Sequence, residues 1–190
     1  MSTNFGEKQF TKYFNDKLFI NLKPKMHKLG IHGGREKRLS GKKFDIYFYK
    51  RPHFVIIESE IFGWHDHCNI EKLNEIGILK WDWRRKGERY KKQPSVVFFH
   101  IFSPIYSKGK PRLRGKEYCM KLGEKRARHN KNFSYFHLDI KFDFDRFNRM
   151  AKYFQVSRHQ ANQYYGKEIE KEVRRLSRII MKDIKISIKS

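Results

Sequence analysis

Two runs rich in β-branched and aromatic residues, 44–50 (FDIYFYK) and 53–62 (HFVIIESEIF), are separated only by Arg51 and Pro52. A two-residue connection joins antiparallel strands, because parallel strands need a crossover of a dozen or more residues. The spacing therefore predicts a β-hairpin, although Arg-Pro is not the favoured Asn-Gly turn. A symmetric turn pairs residue 50 with 53, 47 with 56 and 45 with 58.

The rest of the chain supplies helices and further strands around that hairpin. Residues 8–22 place Phe10, Tyr13, Phe14, Leu18 and Phe19 at helical spacing. The stretch 23–43 is basic and broken by Pro24, Gly30, Gly33, Gly34 and Gly41, and reads as loop. A helix is expected near 69–79, with Asn69 as its cap. The almost continuous apolar run 95–102 (SVVFFHIF) has the character of a strand buried on both faces. A helix is expected around 116–129, and the alternation in 133–142 predicts a strand with one wet face. From Asp143 to about Lys182 the pattern is helical. This order indicates an α/β protein with a mixed central sheet flanked by helices. Residues 1–142 form the expected core, with a C-terminal helical segment, 143–190, packed on it.

The 44 Lys plus Arg against 20 Asp plus Glu give a formal net charge of +24. Self-repulsion of that size destabilises a compact state, so it points to a polyanionic partner. DNA is the expected partner, with RNA as the alternative. A membrane is not, since no stretch reaches ~18 consecutive apolar residues. The N-terminus lacks a signal-peptide core, and two cysteines, Cys68 and Cys119, are too few for a disulfide framework. Both features suggest a cytoplasmic protein. The 17 Phe, 10 Tyr and 3 Trp supply enough apolar surface for a packed core, which argues against a disordered basic chain.

Against this basic background, Asp45, Glu58 and Glu60 form an acidic cluster. Glu58 and Glu60 are two apart in a strand and leave the same face. The hairpin register sets Asp45 across from Glu58, with Cβ atoms ~5 Å apart. Tyr47, Tyr49, Phe54 and Ile56 share that face, so the acids sit at the rim of an apolar surface. Like charges directly opposite in a sheet destabilise it, so the arrangement calls for a cation. Lys or Arg can serve. A divalent metal serves better: Mg²⁺ (or Mn²⁺) takes oxygen ligands, commonly one or two carboxylates with phosphate oxygens and water.

Asp45, a hairpin turn and Glu58-Ser59-Glu60 closing the second strand resemble the PD-(D/E)xK nuclease superfamily. In that superfamily an Asp opens one strand and a (D/E)-x-K triplet closes the next. The resemblance spans about residues 8–105 and implies a restriction-endonuclease-like core and Mg²⁺-dependent hydrolysis of DNA. It makes Asp45, Glu58 and Glu60 metal ligands and catalytic residues, with Glu60 alternatively positioning the attacking water. This chain departs from the pattern in having Phe44 where a Pro commonly precedes the Asp, and Glu60 where the triplet lysine stands. Some members use Glu-x-Glu, and in others the lysine has moved to the following helix, a role that Lys72 suits. Glu36 matches an additional acidic ligand of some members, although a surface charge among Arg35, Lys37 and Arg38 is its first reading. Cutting both strands of a duplex calls for two active sites, which implies a homodimer.

The residues expected to grip the backbone are Arg35, Lys37 and Arg38 of the basic stretch 23–43, and Arg84, Arg85, Arg112 and Arg114 of the basic, aromatic segments 80–93 and 106–131. Residues 150–165 resemble a helix-turn-helix, with Ser157 capping the second helix and Arg158 and Gln160 facing a groove; a plain broken helix packed on the sheet is the other reading. His65 and His67 lack the second ligand pair of a zinc site. His100, inside an apolar strand, reads as a satisfied core histidine. Ile169, Val173, Leu176, Ile180 and Ile184 form a stripe suited to a core or a dimer seam. The rival function is a non-catalytic DNA- or RNA-binding protein, either a helix-turn-helix regulator or an RNA-associated structural protein.

Overall fold

The structure is a computed structural model that describes residues 5–35, 38–39, 42–50, 53–60, 95–102 and 113–189. In chain order the elements are α1 (Phe5–His27), β1 (His32–Arg35), β2 (Arg38–Leu39), β3 (Lys42–Lys43), β4 (Ile46–Lys50), β5 (His53–Glu60) and β6 (Ser95–Phe102). Then follow α2 (Leu113–His129), β7 (Phe133–Asp139), α3 (Phe144–Val156) and α4 (Arg158–Lys189). The helix expected near 69–79 and the basic segment 80–93 lie outside the described residues.

Five strands form one mixed sheet in the order β1-β4-β5-β6-β7, and β2 pairs with β3 in a separate ribbon. The hairpin has the register its two-residue turn dictates, with Tyr47 opposite Ile56 and Lys50 opposite His53. β6 runs parallel to β5, and β7 parallel to β6. Every residue of β6 from Val96 to Phe102 is buried, as expected of a strand covered on both faces.

Helices cover both sides of the sheet. On one side α1, α3 and α4 pack over Phe48, Val55, Ile57, Val97, Phe99 and Ile101. On the other, α2 lies over Phe54, Ile56, Val96, Phe98 and Phe133. Each fully buried aromatic or aliphatic side chain contributes about 1.5–3 kcal/mol. Phe99, stacked on Phe136 at 5.1 Å, is central to the first layer. The α4 stripe, Ile169, Val173, Leu176, Ile180 and Ile184, is spent inside this core. Cys119 on α2 is buried and disulfide-bonded, so the cysteine count does not support the cytoplasmic expectation. No helix among the described residues is long and apolar enough to cross a membrane.

Three local features differ from the sequence expectation, each for a physical reason. α1 runs on past Pro24 because Leu22 and Met26 continue its buried stripe, and a proline one turn from the end removes only one backbone bond. Gly30, at φ 69°, then turns the chain, and the Ile31 N–H returns to the Met26 carbonyl at 3.0 Å. The glycine-rich stretch after it is a strand, not a loop. A Cβ at Gly33 would collide with the Tyr47 carbonyl and lie 2.7 Å from the Phe48 Cα, so β1 approaches β4 as only glycine allows. Finally, β7 has no single wet face, because Phe133 and Leu138 are buried in opposite layers.

A buried carboxylate anchors α4 to the end of β7. Glu172 accepts from the Lys141 N–H at 2.8 Å and pairs with Arg175, which also reaches the Asp139 carbonyl at 2.7 Å. Burying a charge is tolerable only with such partners.

Candidate active site

The strand directions bring five chain segments to one edge of the sheet. The parallel strands β5, β6 and β7 end there, β4 begins there, and β1 ends there beside the start of β4. In open α/β sheets the carboxyl ends of parallel strands are where ligands bind.

Asp45 and Glu58 meet at this edge. Asp45 immediately precedes Ile46, and Glu58 follows Ile57, the residue that pairs with Ile46. The Asp45 N–H donates to Glu58 Oε1 at 3.3 Å, and the Ser59 N–H donates to Asp45 Oδ2 at 2.9 Å. Each carboxylate thus clasps the backbone of the opposite strand. Asp45 is half-buried, whereas Glu58 is only 1 % exposed. Glu60 closes β5 with its backbone beside Phe102, and its side chain lies outside the described residues.

The neighbouring strands add polar groups on the same rows. His100 of β6 lies beside Glu58 and is wholly buried, with Nδ1 3.1 Å from the Tyr135 hydroxyl, as befits a satisfied core histidine. In the last row, Phe102 lies beside Asp139 of β7. The Lys116 ammonium of α2 donates to Asp139 Oδ1 at 2.6 Å and stands 5.5 Å over the Phe102 ring.

On the opposite face of the sheet, Ser59 donates its hydroxyl to Asn15 of α1 at 2.7 Å. The next α1 residue, Asp16, pairs with Arg35 at the end of β1 and with Arg158 at the start of α4. Lys17 follows. Partial burial would lower its pKa, but the Glu170 carboxylate 3.2 Å away offsets this and raises the ammonium above its usual value. The roles of Asn15 and Asp16 were missed in the sequence, where Asn15-Asp16-Lys17 reads as an ordinary polar triplet between Phe14 and Leu18 of an amphipathic helix.

Of the other expected backbone contacts, Gln160 is exposed in the first turn of α4. Arg38 lies in β2 and Arg114 in the first turn of α2, each described by backbone alone. Lys37, Arg84, Arg85 and Arg112 lie outside the described residues, as do Lys72, Glu36, His65 and His67. Ser157 separates α3 from α4 and caps the latter, its hydroxyl accepting from the Gln160 N–H at 3.3 Å. That one-residue break is tighter than the three- or four-residue turn of a helix-turn-helix.

Among the described residues no group of three His, Cys, Asp or Glu side chains is placed to hold a metal ion. The described part of the expected ligand set is the Asp45–Glu58 pair. Two hard oxygen donors at a strand end fit Mg²⁺ or Mn²⁺, which complete their coordination with water and phosphate oxygens. No family model, no curated protein and no solved structure matches the chain.

Proposed function

We propose that this protein is a metal-dependent endonuclease that hydrolyses DNA phosphodiester bonds, on a restriction-endonuclease-like core with a Glu-x-Glu triplet. The observation that carries the reading is the meeting of Asp45 and Glu58 across the hairpin at the carboxyl edge of a mixed sheet. The element order supports it too: a helix, a three-stranded antiparallel unit of β1, β4 and β5, and then β6 parallel to β5.

In this reading Asp45 and Glu58 hold the ion, with Glu60 as a further ligand or as the group that positions the attacking water. Bound there, Mg²⁺ or Mn²⁺ supplies the activated water and stabilises charge on the attacked and leaving oxygens. The protein's own part is preorganisation. Burial of Glu58 places its carboxyl group in a poorly solvated setting, where attraction between carboxylate and cation is stronger than in water. The mutual backbone clasp fixes both carboxylates before substrate arrives. Lys72 is assigned charge stabilisation at the phosphate on the sequence resemblance alone. Basic side chains deliver the DNA, a homodimer supplies a second active site for the second strand, and the cytoplasm is the compartment that holds such a substrate.

The rival reading is a binder without catalysis, in which the Asp45–Glu58 clasp only locks the hairpin. It is favoured by the exposed first turn of α4, where His159 and Gln160 stand beside Arg158. Incubating supercoiled plasmid with the protein and Mg²⁺ separates the two. The nuclease reading expects nicked and linear products that disappear with EDTA and with Glu58→Ala. Cleavage that survives Glu58→Ala removes the site, and absence of cleavage over varied DNA, RNA and divalent metals favours the binder.

A further inference from the structure

Asp16 joins two cationic residues that are far apart in the sequence. Its carboxylate pairs with Arg35, at the end of β1, and with Arg158 Nη2, at the start of α4, at 3.4 Å. The Arg158 guanidinium also lies 5.2 Å over the Tyr13 ring, and the Tyr13 hydroxyl donates to Asn162 of α4. One helical turn of α1 therefore fixes both arginines, while Asn15 ties the same turn to Ser59 between the two glutamates.

The location follows from the register. Arg35 is level with Ile46 and Ile57, one row from Asp45 and Glu58. Ser59 faces α1 and Glu58 faces the α2 side, since successive strand residues alternate. The arginine pair thus sits across the rim of the sheet from the acid pair, at the same edge.

We infer that Arg35, Asp16 and Arg158 form a phosphate clamp that holds the nucleic-acid backbone at the sheet edge that carries the Asp45–Glu58 pair. The cleavage chemistry beside it rests on the nuclease reading; the clamp itself does not. Among the described residues Asp16 is the carboxylate that both guanidinium groups pair with, so the trio keeps a net positive charge. Tying α1 to β1 and to α4 takes one arginine each, and the single charge of Asp16 balances only one of the two guanidinium groups. Both side chains reach solvent, at 30 % and 51 % exposure. Guanidinium forks suit phosphate oxygens, and a carboxylate that orients two of them in advance lowers the ordering cost of binding.

The test is the salt dependence of binding to a short fluorescein-labelled DNA duplex, followed by anisotropy in EDTA so that no cleavage intervenes. Arg35→Ala and Arg158→Ala are each expected to weaken binding about tenfold and to flatten the slope of log K against log[salt] by about one. Arg158→Gln keeps a donor for Asp16 while removing the charge, so the same loss there does not come from misfolding. Arg158→Lys is expected to restore the slope. Arg178→Ala, ~30 Å along α4, is the control and is expected to behave as the wild type. Slopes for the Arg35 and Arg158 variants equal to that of the control, or a wild-type protein that does not bind the duplex, would overturn the clamp. Lost slope in a protein that cuts no DNA leaves the clamp standing and removes the nuclease; unchanged slope in one that cuts removes the clamp alone.

Discussion

Asp45 and Glu58 hold each other's strands: the Asp45 N–H donates to Glu58 Oε1 at 3.3 Å, while Asp45 Oδ2 accepts from the Ser59 amide beside Glu58. Two carboxylates that repel each other are kept together by backbone donors, and the geometry persists only because the hairpin turn fixes the register. This arrangement makes the carboxyl edge of the sheet the place to look for chemistry.

Ser59→Ala removes the hydroxyl that α1 Asn15 accepts from inside the protein. A buried polar group left without its partner costs about 1–3 kcal/mol. Urea denaturation should show that loss of stability. Plasmid cleavage should fall as well, because the strand bearing Glu58 loses its tether to α1. Unchanged stability would mean that the tether contributes nothing.

The helix α2 lies close on β7 because Gly123 has no side chain. A Cβ there would come within 2.6 Å of the Tyr135 ring, whose hydroxyl contacts His100 beside Glu58. Gly123→Ala should cost about 1–3 kcal/mol by overpacking. Chemical denaturation measures it, and a neutral or stabilising result would contradict the close approach of helix and ring.

How much of this was legible in the sequence depends on how local the determinants are. The hairpin register was, since a two-residue connection leaves one symmetric pairing, and that pairing alone set Asp45 across from Glu58. The buried strand 95–102 and the α4 stripe were legible because their apolar patterns are continuous. β1 was not. His32-Gly33-Gly34-Arg35 has no apolar period, and it is a strand because Tyr47 and Phe48 approach Gly33 too closely for a side chain. The roles of Asn15 and Asp16 were hidden for another reason. Their partners Ser59 and Arg158 lie 44 and 142 positions away, and only the packing of α1 between sheet and α4 unites them.

Burial of Asp183 near the end of α4 raises its carboxyl above the ordinary aspartate value, with Lys182 pulling weakly the other way. A group whose pKa is raised on folding contributes stability that is fully present below its unfolded value and lost as pH rises through its folded value. Asp183→Asn should therefore gain stability relative to the wild type as pH rises from below the ordinary aspartate value towards neutrality. Thermal melts of both proteins across that window measure the difference, and a constant difference would refute the shift.

In the proposed nuclease, Asp45 and Glu58 together hold a divalent ion. The direct measurement is Mn²⁺ binding followed by electron paramagnetic resonance, with a DNA duplex present to supply phosphate oxygens, on the wild type and on Asp45→Asn and Glu58→Gln. The wild type is expected to bind Mn²⁺, and either variant to show a site weaker by about tenfold or more, as loss of a charged ligand implies. Equal Mn²⁺ binding by all three proteins, or none by the wild type, would contradict it.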